Sequence, residues 1–211
     1  EGQRVVAVLV GGRVRVEDTD VCAVLAERGI TSPFPVQELV LPVARTGRDV
    51  LVSSPTGSGK TLAFGLPLVE RLTRGGAHPS ALILAPTREL AAQIEEELTP
   101  LAAAVSLRIA VCYGGVGFEQ QAKRASRADI LVATPGRLLD LARQKRPSLS
   151  GITTPLLDAA HRMLDLGFLP QVQPIPNPVP RQRPHTSLPC PPPRPHAHTP
   201  AHSHPAPPPT P

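Results

Sequence analysis

Short apolar runs alternate with longer amphipathic stretches through the middle of this chain. The runs at 49–52, 81–84, 108–112 and 129–133 are apolar throughout except for the first residue of three of them (Asp49, Arg108 and Asp129), as expected for strands buried on both faces. The stretches between them space apolar residues as helices do, and predict helices over 60–72, 87–104, 118–127 and 135–143. Strands that alternate with helices predict an α/β fold, in which a parallel sheet carries helices on both faces.

The two ends of the chain differ from this middle part. Residues 1–16 are rich in Val and Gly and are compatible with a strand, and a helix is predicted over 19–28. Residues 170–211 hold 17 of the 28 prolines, five of the seven histidines and no acidic residue. Because proline fixes φ and lacks an N–H donor, this composition predicts a disordered tail. The chain therefore divides into an uncertain segment over 1–16, a folded domain over 17–169 and a tail over 170–211.

Charge and cysteine content limit the possible functions only slightly. The net charge is +5, but three basic residues belong to the tail, so the folded part is close to neutral and charge is weak evidence for nucleic-acid binding. Cys22, Cys112 and Cys190 form no CxxC pair, which argues against a zinc site and favours a reducing, cytoplasmic location. No apolar run is long enough to span a membrane, so no membrane association is expected. The missing initiator Met suggests a fragment.

A glycine-rich segment, SSPTGSGKT at 53–61, directly follows the first apolar run. In such a loop successive backbone N–H groups point at an anion, and the following helix adds the positive end of its dipole. We expect Lys60 to reach the β- and γ-phosphates of a nucleotide and the Thr61 hydroxyl to hold Mg²⁺. An ordinary Gly/Ser turn is the alternative, and Ser54 stands where the usual pattern has Gly. The strand before the segment and the helix after it favour a phosphate-binding loop.

Five further motifs accompany this loop along the chain. They are GITSPFPVQ at 29–37, PTRELA at 86–91, YGG at 113–115, TPGR at 134–137 and RMLDLGF at 162–168. Together with the loop they resemble the first RecA-like domain of DEAD-box RNA helicases, over about residues 26–168. The resemblance implies a RecA-like P-loop domain that binds ATP with Mg²⁺ and grips the backbone of one RNA strand without reading its sequence.

The resemblance also implies roles for individual residues. Gln37 matches the glutamine whose amide pairs with adenine, and Asp158 matches the acidic residue that holds Mg²⁺ through water. The rest of the implied nucleotide-binding set is Ser54, Pro55, Thr56, Gly57, Ser58, Gly59, Lys60 and Thr61. The implied RNA-binding set is Pro86, Thr87, Arg88, Gly115, Thr134, Pro135, Gly136 and Arg137. Lys60 and Asp158 are the expected catalytic residues. Alone, Arg88 could be a solvated charge.

Four departures from the family pattern bear on activity. Residues 158–161 read DAAH, so Ala159 replaces the glutamate that orients and deprotonates the attacking water, a loss of about 10²–10⁴-fold in rate. Pro155 predicts a damaged or shortened strand before Asp158. The pattern stops after Val172, so the Ser-Ala-Thr motif and the second RecA-like domain do not follow. No aromatic residue precedes Phe34 to stack on adenine.

Several functions remain open at this point. The first is an ATP-dependent RNA helicase domain with impaired hydrolysis, and the second is a non-catalytic module that binds ATP or RNA. The third is an interaction protein, because PPPRP at 191–195 resembles a polyproline ligand for a partner, although uninformative disorder is the simpler interpretation. The abrupt change after Val172 also favours a frameshifted fragment as the origin of the tail.

Overall fold

The computed structural model describes the chain in six backbone segments and one isolated residue. The backbone is described over residues 4–9, 19–46, 48–55, 57–72, 78–159 and 185–189 and at Met163. Side chains are described from residue 20 to residue 163 within those ranges. Predictions that concern residues 1–3 and 10–18, Thr56, residues 160–162 and 164–169, and the segment 170–211 apart from 185–189 therefore lie outside the described residues.

Strands and helices alternate as the hydrophobic pattern predicts. The strands are β1 (Arg4–Leu9), β2 (Asp49–Pro55), β3 (Ala81–Leu84), β4 (Ile109–Cys112), β5 (Ile130–Ala133), β6 (Thr154–Leu157) and β7 (His185–Pro189). The helices are α1 (Thr19–Glu27), α2 (Pro35–Arg45), α3 (Lys60–Arg71), α4 (Arg88–Ala104), α5 (Phe118–Ala125) and α6 (Pro135–Gln144). The predicted helices and internal strands are confirmed to within a few residues, and α2 is an addition to them. None of these helices combines the length and apolar character that a membrane crossing requires.

The strands form one sheet in the order β4-β5-β3-β6-β1-β2-β7. The strands β3, β4, β5 and β6 pair in parallel, and β7 pairs in parallel with β2. β1 lies between β6 and β2 and runs antiparallel to both, so β2 and β6 point the same way. All the described strands except β1 therefore place their carboxyl ends at one edge of the sheet, where ligands bind in open α/β sheets.

Both faces of the sheet are covered, as predicted. Alternate strand residues belong to two different apolar clusters: Ile83 and Val132 pack on the face that carries α1 to α4, whereas Leu82 and Leu131 pack on the face that carries α5 and α6. Because successive strand side chains point to opposite faces, a strand covered on both sides must be apolar throughout. This explains why the short strands read as continuous apolar runs in the sequence.

The predicted damage to the strand before Asp158 is not seen. β6 has four residues, the same length as its neighbour β3, and all four pair with β3 although Pro155 is among them. The N–H of Thr154 donates to Ser80 O and that of Asp158 to Leu84 O, so these alternate residues face β3. The backbone nitrogen of Pro155 therefore points toward β1 and away from β3. The pairing of β6 with β1 involves Leu156 and Leu157 and does not include Pro155. The missing N–H costs no bond to β3.

The ends of the chain contribute two strands to the sheet. The prediction that residues 1–16 are compatible with a strand is confirmed by β1. Within the segment 170–211, for which a disordered tail is predicted, His185–Pro189 is an exception, because it forms β7 beside β2. An edge strand is paired on one side only, so a proline at its end is tolerated there.

Candidate functional site

The phosphate-binding loop predicted from SSPTGSGKT closes around the ammonium group of Lys60. Its Nζ donates hydrogen bonds to Ser54 O at 3.0 Å, to Pro55 O and to Ser58 Oγ at 3.4 Å. The hydroxyl groups of Ser54 and Ser58 lie 2.8 Å apart. Lys60 is 9% exposed, so the loop holds its charge in a ring of oxygen acceptors. Phosphate oxygens can accept the same hydrogen bonds from Lys60, and they also carry negative charge that strengthens these bonds.

Gln37 connects this loop to the start of α2. Its Nε2 donates to Gly59 O at 3.0 Å, and its Oε1 accepts from the N–H of Phe34 at 3.0 Å. Gly59 has φ +84°, and a Cβ there would lie 2.7 Å from Gln37 Nε2, so only glycine fits the contact. Gln37 is buried. In this conformation its amide supports the loop, and the adenine contact implied by the resemblance stays a prediction.

Asp158 lies at the carboxyl end of β6. Its side chain is buried, and its Oδ1 accepts a hydrogen bond from the N–H of Ala159 at 2.9 Å. Ala159 is buried as well and has φ +53°, a left-handed conformation that costs a non-glycine residue about 1 kcal/mol or more. Because Val8 of β1 pairs with both Leu51 and Leu157, β2 and β6 are two strand spacings apart, about 10 Å.

The oxygen donors of this edge suit Mg²⁺. The carboxylate of Asp158 and the hydroxyl of Thr61, in the first turn of α3, are hard oxygen ligands. Among the described residues no group of three or more His, Cys, Asp or Glu side chains could hold a metal by itself. Mg²⁺ keeps several waters and commonly takes one or two protein oxygens together with substrate phosphates. The residues present therefore fit a magnesium ion that arrives with a nucleotide.

The residues implied as RNA contacts lie along the same edge of the sheet. Thr87 caps α4, since its Oγ1 accepts the N–H of Leu90 at 3.2 Å, and the Arg88 side chain beside it is 61% exposed. A Cβ at Gly115 would be 3.4 Å from Arg88 Nη1, which places the loop after β4 next to Arg88. Thr134 and Pro135 start α6, as predicted. Two helix N-termini thus face a common surface, and the positive ends of their dipoles favour phosphate groups there.

Arg137 is buried, in contrast to the exposed Arg88 of the implied RNA-binding set. It is 9% exposed, and its guanidinium donates to Gln121 Oε1 at 2.7 Å and to Val116 O at 3.0 Å, over the ring of Phe118. These contacts hold the loop after β4 against α5 and α6. Two nitrogens of the Arg137 guanidinium are therefore bound inside the protein in this conformation, and the RNA contact implied by the resemblance stays a prediction.

A buried thiol lies beneath the same loop. Burial raises the pKa of Cys112 to about 11, although the positive charge of Arg137 opposes the shift. The Sγ atom is 3.8 Å from Gln121 O. A thiol with this pKa stays protonated near neutral pH, so Cys112 serves packing and is no candidate nucleophile.

Sequence reasoning missed two features of this region. Gln121 receives the shortest hydrogen bond of Arg137, but a glutamine within a short helix gives no signal of that role. Phe34 lies against the phosphate-binding loop, 2.8 Å from the position of a Cβ on Gly59. An apolar residue at a helix N-cap, where small polar residues are preferred, was the available signal.

Comparison with known proteins agrees with this geometry. The model of the family described as DEAD/DEAH box helicase matches residues 34–188, well over half of the chain. The DEAD-box ATP-dependent RNA helicase 52A of Oryza sativa is 45% identical over 168 residues, which cover 72% of this chain and 28% of that protein. The chain thus spans about three tenths of the length of such relatives.

Solved structures agree as well. A DEAD box protein from the hyperthermophile Methanococcus jannaschii superposes with a TM-score of 0.70 at 32% identity, over 80% of this chain and 47% of that one. The RNA helicase Prp28 from Chaetomium thermophilum, solved bound to ADP, gives a TM-score of 0.67 at 32% identity, over 87% of this chain and 48% of that one. The fold is therefore that of RecA-like helicase domains.

The free energy of unfolding should depend on the buried Arg137 much more than on the exposed Arg88, and two alanine variants test this. Arg137→Ala should lower the free energy of unfolding by about 2 kcal/mol, because it leaves Gln121 and Val116 O without their buried partner. Arg88→Ala, which removes an exposed guanidinium, should change it by less than about 0.5 kcal/mol. Urea unfolding followed by circular dichroism measures both values. Equal effects of the two substitutions would contradict the positioning role of Arg137.

Proposed function

Because this chain belongs to the DEAD/DEAH box helicase family, we propose that it binds ATP with Mg²⁺ and one RNA strand at the carboxyl edge of its sheet. We further propose that it hydrolyses ATP poorly. The observation that carries the proposal is the loop that closes around Lys60 and is held by the hydrogen bond from Gln37 to Gly59 O. The predicted cytoplasmic location stays a prediction, and the described residues give no support for a partner of the Pro-rich tail.

The support for ATP binding is that Lys60 and the N-terminus of α3 converge on one loop. Lys60 is held by the carbonyl oxygens of Ser54 and Pro55, which phosphate oxygens can replace with a gain in charge pairing. The first N–H groups of α3 have no partner within the helix and favour an anion. Bound with the nucleotide, Mg²⁺ would neutralise phosphate charge and would be held on the protein side by Thr61 and Asp158.

The support for RNA binding is the row of loops beside this site. The loop that begins with Pro86, the Gly-rich loop after β4 and the start of α6 all follow parallel strands and therefore share one edge. Arg88, which follows β3, is an exposed cation in this row and lies next to Gly115. Backbone amides and a guanidinium bind phosphate groups and do not read bases, so the proposed contact is with the RNA backbone.

The support for poor hydrolysis is the methyl group of Ala159. It follows Asp158 directly, in the position that the family resemblance gives to the general base, and a methyl group can neither orient nor deprotonate water. The alternative, a purely non-catalytic ATP- or RNA-binding module, differs from this proposal only in whether any turnover remains. The same measurement of phosphate release therefore separates the two.

Nucleotide binding depends on Lys60 in this proposal. Lys60→Ala should weaken the binding of a fluorescent ATP analogue with Mg²⁺ by roughly 100-fold, since a charged hydrogen bond contributes up to about 3 kcal/mol. Lys123→Ala removes an exposed lysine of α5 and serves as the matched control. Fluorescence titration gives both affinities, and thermal unfolding checks that both variants fold. Unchanged affinity in Lys60→Ala would count against the nucleotide site.

RNA binding depends on Arg88. In the presence of Mg²⁺ and a non-hydrolysable ATP analogue, Arg88→Ala should weaken binding of a single-stranded oligonucleotide and reduce the slope of log K against log salt by about 0.7. Arg127→Ala removes the same charge at the amino end of β5, on the opposite edge of the sheet, and should leave the slope unchanged. Fluorescence anisotropy over a salt series measures both. A slope that falls equally in both variants refutes an RNA surface at this edge.

Hydrolysis is limited by Ala159 in this proposal. The unmodified chain should release phosphate from ATP near background with RNA present, and Ala159→Glu should raise that rate, by about 10²-fold at most. Ala159→Gln matches the size of Ala159→Glu at the same left-handed position but supplies no base. The phosphate release of this variant should therefore stay near background. Steady-state phosphate release compares the three proteins. Brisk turnover by the unmodified chain would show that the assignment of Ala159 is wrong.

A further inference from the structure

An aromatic ring lies half exposed beside the phosphate-binding loop. Phe34 is 50% exposed, and the other exposed large apolar side chains among the described residues are Leu39 at 40% and Val116 at 44%. Phe34 occupies the N-cap of α2 and makes no side-chain capping hydrogen bond. A small polar residue there would satisfy a helix N–H and avoid exposing a ring to water. Phe34 thus departs from the usual residue preference at a helix N-cap, and such departures are typical of functional sites.

The ring is placed against the loop at Gly59. A Cβ on Gly59 would lie 2.8 Å from Phe34 Cδ2 and 3.3 Å from Cγ, so the ring edge covers the glycine directly. Gly59 is the N-cap of α3, and its carbonyl accepts the Gln37 amide. One edge of the ring is therefore fixed by the loop, and the exposed half remains open beside the place where phosphates are expected.

Other described aromatic side chains are not available at this position. Phe64 is buried in the core, and Phe118 lies beneath the guanidinium of Arg137. Tyr113 follows β4, at the far end of the strand order from β2. A nucleotide whose phosphates occupy the loop carries its planar base on the ribose that is attached to the α-phosphate, within reach of an aromatic neighbour of the loop. Flat aromatic rings stack on any base, because every base has a π-face.

We propose that Phe34 is the stacking surface for the base of the nucleotide whose phosphates bind the loop closed by Lys60. The exposed half of the ring packs on the base while the other half stays on Gly59. Phe34 is then a binding residue that sets affinity for the nucleoside part of the ligand and leaves the phosphate contacts unaffected. This inference rests on the proposed nucleotide site, and it is tested by ligands that do and do not carry a base.

The experiment compares ATP with inorganic tripolyphosphate, each with Mg²⁺, by calorimetric titration. Phe34→Leu keeps apolar bulk against Gly59 and removes the aromatic face. It should weaken ATP binding roughly tenfold and leave tripolyphosphate binding unchanged. Leu39→Ala removes an exposed apolar side chain from the same helix and should change neither affinity. Equal weakening of both ligands in Phe34→Leu would mean that the ring only braces the loop and would overturn the proposal, as would no change at all.

A second variant gives a direct signal of stacking. The chain contains no tryptophan, so Phe34→Trp introduces a single indole fluorophore. Its emission should be quenched by ATP and unaffected by tripolyphosphate, and its affinity for ATP should match or exceed that of the unmodified chain. Absence of quenching while ATP is bound overturns the stacking role. Failure of the unmodified chain to bind either ligand would instead overturn the proposed nucleotide site itself.

Discussion

The common direction of the strands is the constraint on which the rest of this structure depends. Because β2, β3, β4, β5 and β6 point the same way, every loop that follows one of them emerges at one edge. Residues far apart in sequence, such as Lys60, Arg88 and Asp158, are therefore brought to one surface of the protein. Apolar residues on both faces of the strands fix this arrangement, so the chemistry of the edge rests on the packing beneath it.

Within the sheet, β1 lies between β2, which leads into the phosphate-binding loop, and β6, which is followed by Asp158. β1 pairs along six residues with β2, whereas within the described part of the chain its pairing with β6 involves two of its residues, Val8 and Leu9. The distance between the phosphate-binding loop and Asp158 is therefore set by a strand from the other end of the chain. On one face of the sheet, α2 packs against β2 and α4 packs against β4 and β5. Helix α3 packs against both α2 and α4, and its Gly65 lies directly against Leu98 of α4. Strand and helices together hold the two parts of the site.

How far the sequence predicts this structure depends on how local each signal is. Continuous apolar runs identify the short strands, and Thr87 and Pro135 mark helix starts by their own chemistry. Helix α2 escapes prediction because Pro35 and Pro42 suggest a loop, although a proline in the first turn costs no hydrogen bond. The direction and place of β1 depend on pairing with strands over forty residues away, which no local pattern contains. The burial of Arg137 likewise depends on Gln121, a residue of a different helix.

The contacts in the site explain why its motifs can persist with or without turnover. Lys60, Gln37 and Arg137 each make hydrogen bonds that hold the fold, so their loss would destabilise the protein even if it never bound a ligand. Their presence is therefore weaker evidence for catalysis than it first suggests. Arg88 is different, because its guanidinium is exposed and its ion pair with the neighbouring Glu89 is a surface contact of little stabilising effect. Arg88 therefore adds support for ligand binding that is independent of stability, because the fold does not need its side chain.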